Sequence, residues 1–261
     1  MNCGTAMALA RAWHIMSRNA WKTVTPLLCH HRTAATVHAT MPWYNSGMNT
    51  TETTEPSKTD ERLRAAKRAM RHQAIAERQR TTPEERLEAG RSIARHARAA
   101  DLIHSFGTVA AFVSMGSEIA MAPLLQTLLD SQCRVLVPRL GSGMDIGWSE
   151  LDDLEGLHGI RHDDGSPNTR RPQEPDNLPN GPEALNDAGL IIVPAFAVDA
   201  SGIRLGRGGG WYDRALGYKA VGARVVAVCW PWEATGTPVP HESHDVPVDA
   251  VLTPDGYTAI R

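Results

Sequence analysis

No stretch of the chain approaches the run of about 18 apolar residues that a membrane-spanning helix needs. The four cysteines, Cys3, Cys29, Cys133 and Cys229, are too far apart for a CxxC unit, so reduced thiols of a cytosolic protein are expected. Cys133 and Cys229 each adjoin an apolar run and read as small buried hydrophobes. Excess charge of one sign is also missing: the formal net charge is −2 over 261 residues, which gives no general attraction to nucleic acid or to an anionic membrane. Acidic residues are absent from residues 1–51, where Arg11, Arg18, Lys22 and Arg32 stand. Such a segment resembles an organellar transit peptide and lacks the apolar centre of a secretory signal. A second reading places the working start at Met41 or Met48. Under both, residues 1–58 are expected to be a disordered extension, ending in a polar linker over 49–60, with one folded domain over 59–261. The expected compartment is the cytoplasm, or the mitochondrion if the extension is a transit peptide.

What is present is an α/β pattern. The chain is 42 % hydrophobic and 21 % charged, enough apolar material to build a globular core. A helix is expected from near Glu61, with Leu63, Ala66, Met70 and Ala74 as its apolar stripe and Arg64, Lys67, Arg71 and Arg78 on another face. Thr82-Pro83-Glu84-Glu85 is the start signal of a second helix, Thr82 capping and Glu85 reaching back. Leu87, Gly90, Ala94 and Ala97 give that helix its inner face. Short apolar, partly β-branched runs then predict strands over 108–113, 134–137, 189–193, 224–229 and 250–252, with Pro138 and Pro194 stopping the second and third. Between the first two, residues 122–131 predict a helix with Leu124, Leu125, Leu128 and Leu129 turned inward. Nearly continuous apolar strands separated by helices indicate a mostly parallel sheet covered on both faces. Residues 159–181, rich in Pro, Asn, Asp, Gly and Arg, are long for a loop, and loops of that length are functional or disordered.

The most informative segment is Arg204-Leu205-Gly206-Arg207-Gly208-Gly209-Gly210-Trp211-Tyr212-Asp213-Arg214. Four glycines in five residues, between a strand and a helix, weaken packing and cost backbone entropy. What they offer is positive φ and close backbone approach, so that successive N–H groups converge on an anion, with a helix N-terminus behind them. At Gly209 in particular, an added Cβ is expected to clash with the ligand or to oppose positive φ. Arg204 and Arg207 flank the glycines and Asp213 follows, supplying cations for phosphate and a carboxylate for Mg²⁺. Trp211-Tyr212 stands where a P-loop needs Lys-Ser/Thr and where the dinucleotide fingerprint needs glycine, which excludes both motifs.

This segment resembles the signature of the 5-formyltetrahydrofolate cyclo-ligases, also called methenyltetrahydrofolate synthetases. The resemblance runs from about residue 65 to 253, with Trp211 where the family usually has Tyr or Phe. It implies a three-layer α/β/α fold with a Rossmann-like sheet and an enzyme that cyclises 5-formyltetrahydrofolate with ATP and Mg²⁺, releasing 5,10-methenyltetrahydrofolate, ADP and phosphate. It also implies roles for three further pieces. Lys67-Arg68-Ala69-Met70-Arg71 contacts ATP together with Arg204–Tyr212, that is Arg204, Leu205, Gly206, Arg207, Gly208, Gly209, Gly210, Trp211 and Tyr212. Val113 and Glu118, just beyond the first strand, take the folate, Val113 lining the pterin pocket and Glu118 pairing with its N–H groups. Asp245, in His244-Asp245-Val246-Pro247, joins Asp213 as a Mg²⁺ ligand. Arg207 and Tyr212 are the residues expected to act on the transferring group.

The residues admit other readings as well. Sugar-phosphate isomerases and CoA-transferases use related layers and glycine loops but need no hydrolysable ATP, and a non-catalytic folate- or nucleotide-binding module would form no ADP. His241-Glu242-Ser243-His244 is one residue short of the zincin spacing, so its histidines would not share a helix face. Eleven Lys and Arg against five acidic residues over 61–98 lack interleaved aromatics for stacking on RNA. The expected partners are therefore the two small-molecule substrates, with no nucleic acid and no membrane.

Overall fold

The computed structural model describes residues 57–140, 145–242 and 245–261. The acid-poor extension, the linker up to residue 56 and His244 lie outside these described residues. Among them, no helix is long and apolar enough to cross a membrane.

Helix α1 (Lys58–Arg78) begins ahead of Glu61, because Ser57 and Asp60 form a reciprocal capping box. Residues 58–60, expected in the linker, are therefore helical. Helix α2 (Pro83–Ala99) starts as its sequence dictates: Thr82 Oγ1 accepts from Glu85 N at 3.2 Å and Glu85 Oε2 accepts from Thr82 N at 2.7 Å. Ala89, Gly90, Ile93, Ala94 and Ala97 are its buried face, whereas Leu87 is exposed. Gly90 is needed there, since a Cβ would sit 2.0 Å from the Ala120 carbonyl oxygen.

The sheet then builds outward in both directions from β1 (Thr108–Ala110). After α3 (Ala122–Asp130), β2 (Arg134–Leu140) pairs with β1 in parallel, and β3 (Ile146–Leu151) turns back antiparallel to close that edge. Strand β2 runs through Pro138 instead of stopping there. Its β1 partner ends opposite Leu136, so beyond that point only the β3 side carries a ladder and a missing N–H is tolerated. Two short strands, β4 (Leu157–His158) and β5 (Glu174–Pro175), pair at the base of the long loop. Strand β6 (Leu190–Pro194) lies on the other side of β1, and its last residue is Pro194. A small hairpin of β7 (Ala197–Val198) and β8 (Arg204–Leu205) leads to α4 (Trp211–Ala215). Strands β9 (Arg224–Val228) and β10 (Ala250–Thr253) extend the parallel sheet, and antiparallel β11 (Gly256–Ala259) ends it. The seven-stranded order is β11-β10-β9-β6-β1-β2-β3.

Side chains of the central strands alternate between two cores, as period-2 geometry requires. Val109, Val135, Val137, Leu190, Ile192, Val226, Val228, Ala250 and Leu252 meet α2 and α3. Ala110, Leu136, Ile191, Val193, Val225, Ala227 and Val251 face Trp211, Ala215 and Leu216 on the opposite side. The result is the expected mostly parallel sheet between two covers.

Helix α1 departs from its sequence reading. Lys67, Arg71 and Arg78 lie on the inward side with Met70 and Ala74, while Ala66 is exposed. The inward stripe is half cationic because its partners are polar: Arg78 donates to both carboxylate oxygens of Glu233, at 2.6 and 2.8 Å, and to the Ala195 carbonyl. Arg78 and Glu233 are 3 % and 2 % exposed, and the Arg78 guanidinium also lies 4.3 Å from the Phe196 ring centroid.

Candidate active site

From β1 the chain moves first to β2 and later to β6 on the opposite flank, so the carboxyl ends of β1 and β6 form the point where strand order reverses. In open α/β sheets a crevice opens there. Hydrogen bonding of β1 ends one residue past Ala110, where Ala111 N still donates to Leu136 O at 2.8 Å. Phe112 and Val113 leave the ladder and enter the wall of a cavity of about 520 Å³. Pro138 and Leu140 from β2, Pro194 from β6, the glycine loop and the inner side of α1 line the same space.

The glycine loop is held open by backbone conformation. Positive φ falls at Gly208 (98°) and Gly210 (63°), and Gly210 is the N-cap of α4. Gly209 is not among the positive-φ residues, so the conformational demand sits on its two neighbours. At Gly208 space is short as well, since an added Cβ would lie 3.1 Å from Arg71 Cζ. Helix α4 is a single turn of five residues, so the anion-binding capacity of this wall rests on loop amides and cations more than on a helix dipole.

Among the described residues, ion pairs between lining residues join Arg207 to Glu118, Lys67 to Asp245 and Arg204 to Asp213, each pair uniting residues expected to serve different ligands. Arg207 donates from Nε and Nη2 to Glu118 Oε1, at 3.2 and 3.0 Å. Glu118 Oε2 also accepts from Met115 N at 2.8 Å, and the residue is 6 % exposed. Lys67 Nζ donates to Asp245 Oδ2 at 2.9 Å and to Glu242 Oε2 at 3.2 Å. Arg204 Nη2 donates to Asp213 Oδ1. Arg71 Nε donates to the Gly206 carbonyl at 2.8 Å, and burial pulls its pKa below the usual guanidinium value against the opposing pull of Asp245. Tyr212 packs edge-on against Trp211. Burial, and then the negative charge of Glu118, raises its phenol pKa, so its O–H remains a donor at neutral pH.

The cavity thus collects Lys67, Arg68, Arg71, Val113, Glu118, every residue from Arg204 to Asp213, and Asp245. Two expected ATP contacts lie elsewhere: Ala69 is exposed, and Met70 packs with Phe196, Ile203 and Leu205 in a separate small core. Sequence reading overlooked Arg64, Met115, Arg170, Pro172 and Glu242, which also line the cavity. For Arg170 and Pro172 the signal was the length and composition of the 159–181 loop. Cys133 and Cys229 are free and buried. Burial raises the pKa of both thiols, and neither lines the cavity.

The family model of 5-formyltetrahydrofolate cyclo-ligases covers residues 63–254. The chain belongs to this family. The family is one of enzymes, which removes the alternatives of an isomerase, a CoA-transferase and a non-catalytic module. The 5-formyltetrahydrofolate cyclo-ligase of Mycolicibacterium smegmatis is 38 % identical over 163 residues, spanning 59 % of this chain and 77 % of that one. The cyclo-ligase of Escherichia coli K12 is 30 % identical over 182 residues, 66 % of this chain and 92 % of the other. Among solved structures, the 5,10-methenyltetrahydrofolate synthetase of Aquifex aeolicus shares the fold, with a TM-score of 0.60 at 23 % identity over 75 % of this chain and 93 % of that one. The Mycoplasma pneumoniae synthetase shares it with a TM-score of 0.54 at 17 % identity, over 72 % of this chain and 98 % of that one.

Proposed function

We propose that the chain converts 5-formyltetrahydrofolate and ATP to 5,10-methenyltetrahydrofolate, ADP and phosphate. The observation that carries this reading is the convergence, in one cavity at the sheet's switch point, of a cation-flanked glycine loop with Val113 and Glu118. The loop suits a triphosphate, and a buried carboxylate beside an apolar residue suits the N–H edge of a pterin.

The chemical difficulty is that an N-formyl group is a poor electrophile and its oxygen cannot leave as hydroxide. The formyl oxygen attacks the γ-phosphorus and ADP departs. N10 then attacks the formyl carbon and loses its proton, and phosphate leaves as the N5–C–N10 amidinium forms. Catalysis of both steps is positioning and charge stabilisation. The amides of Gly206–Gly210, with Lys67, Arg68, Arg71, Arg204 and Arg207, hold the triphosphate. Val113 and Glu118 orient the pterin so that the formyl oxygen lies in line with the γ-phosphate. Arg207 neutralises charge on the transferring group, and the Tyr212 hydroxyl donates to it.

Mg²⁺ fits the donor set. Asp213 and Asp245 line the same cavity, and no group of three or more His, Cys, Asp and Glu able to hold a metal occurs among the described residues. Two carboxylates completed by phosphate oxygens and water are what Mg²⁺ takes beside a nucleotide. When bound it would offset the charge of the β- and γ-phosphates.

The test is direct. Purified chain given 5-formyltetrahydrofolate and Mg-ATP should develop methenyl absorbance with one ADP formed per product, and chelation of Mg²⁺ should stop both. ADP release without methenyl product would overturn the reading.

A further inference from the structure

We infer that Arg170 binds the carboxylates of the folate's glutamate tail, an inference that rests on the function just proposed. The cavity contains more cations than the triphosphate elements account for. Lys67, Arg204 and Arg207 are paired with cavity carboxylates, and Arg71 donates to Gly206 O. Arg64, Arg68 and Arg170 line the cavity, and their side chains have no hydrogen-bond or ion-pair partner among the described residues. Arg64 and Arg68 are four apart on α1, on the helix that carries Lys67 and Arg71, and so belong with the phosphate wall. Among the described residues, Arg170 is the one lining cation that comes from neither α1 nor the glycine-loop segment.

Its surroundings differ as well. The 159–181 loop and β2 bring Pro172, Pro138 and Leu140 to the same cavity. A substrate that enters pterin-first toward Val113 and Glu118 trails an aromatic amide and then two carboxylates. Apolar lining from Pro138, Leu140 and Pro172, together with a guanidinium unpaired among the described residues, suits that set of groups.

The loop is also anchored as a binding element would be. Glu174, 3 % exposed at its side chain, is paired with Arg139 of β2 at 3.2 Å and with Arg171 at 3.0 Å, and it accepts from Leu140 N at 3.2 Å. Arg139 further donates to the carbonyls of Pro175 and Asn177. The residue next to Arg170 is thereby tied to the strand whose Leu140 lines the cavity, while Arg170 itself remains unpaired.

The experiment is calorimetric titration of the full chain with 5-formyltetrahydrofolate and with 5-formyltetrahydropteroate, which lacks the glutamate, each against the parent and Arg170→Ala. The parent should bind the tailed compound on the order of tenfold more tightly than the tail-less one, and Arg170→Ala should erase that difference without changing affinity for a non-hydrolysable ATP analogue. Equal affinity of the parent for the two compounds, or a variant that keeps the preference, overturns the inference while leaving the proposed function standing. Weakened binding of the ATP analogue would assign Arg170 to the phosphates and overturn it too. A parent that binds neither folate compound would sink the functional reading and this inference together.

Discussion

Glu118 shows what a single side chain must do here. It is almost fully buried, and its charge is balanced by Arg207 and by the Met115 amide. Glu118→Gln should raise the folate KM roughly 10- to 150-fold, the worth of a charged hydrogen bond, and change the ATP KM far less. Steady-state kinetics with each substrate varied checks this, and equal changes for both would make Glu118 a structural residue. The glycine loop makes a sharper contrast. Because the left-handed conformation sits at Gly208 and Gly210, Gly208→Ala and Gly210→Ala should each weaken a non-hydrolysable ATP analogue about fivefold or more, from about 1 kcal/mol of backbone strain alone. Gly209→Ala should be the mildest of the three, and calorimetry on the series decides it. Asp213→Asn should shift activity to higher Mg²⁺, since a charged ligand to the ion is lost. At this scale the sequence was legible where type and spacing carry chemistry, as in Arg204 to Asp213. It did not disclose Arg170 or Glu242, whose neighbours in space are far away in the chain, nor which glycine bears positive φ, which depends on how the loop meets Arg71.

At the scale of elements, the parallel strands could be read because burial on both faces makes them apolar throughout. Strand β3 was hidden: Ile-Gly-Trp-Ser-Glu-Leu has no clean period, being an edge strand with Trp148 in one core and Asn180 pairing on its outer side. Helix α1 was read with the wrong inner face because Lys67, Arg71 and Arg78 go inward to carboxylates and carbonyls that no periodicity reveals. The same helix ties the site to the frame. Arg78 and Glu233 form its buried anchor, and removing one partner of such a pair costs about 3–5 kcal/mol. Arg78→Ala should therefore lower the Tm markedly, and in the surviving folded protein weaken ATP more than folate, because Lys67 and Arg71 ride on α1. Thermal denaturation with parallel titrations checks both halves. The Arg207–Glu118 ion pair carries a further expectation. Phosphates that draw Arg207 away from Glu118 release that carboxylate for the pterin. The ATP analogue with Mg²⁺ should then tighten 5-formyltetrahydrofolate binding by about 5- to 150-fold, a normal coupling between sites, and Arg207→Met should reduce the effect.

For the whole molecule, the family match runs over residues 63–254 and the first described helix starts at a capping box on Ser57. A chain beginning at residue 55 should fold and keep full activity. One beginning at Thr59 loses the Ser57 cap, worth about 1 kcal/mol, and should fray at the start of α1. Circular dichroism and the methenyl assay would separate these outcomes.

The reversal of strand order that opens the cavity also governs when the cavity can exist. Its walls are drawn from α1, from the ends of β1, β2 and β6, from the glycine loop and from Asp245 just ahead of β10. A chain emerging from the ribosome holds the glycine loop well before it holds Asp245, and the parallel sheet pairs β1 with β6 across some eighty residues. Until residues 242–245 are in place Lys67 lacks both of its carboxylate partners, whereas Arg204 and Arg207 already have Asp213 and Glu118. The segment carrying Glu242 and Asp245 is thus the late arrival that balances Lys67 and completes the charge pattern of the cavity.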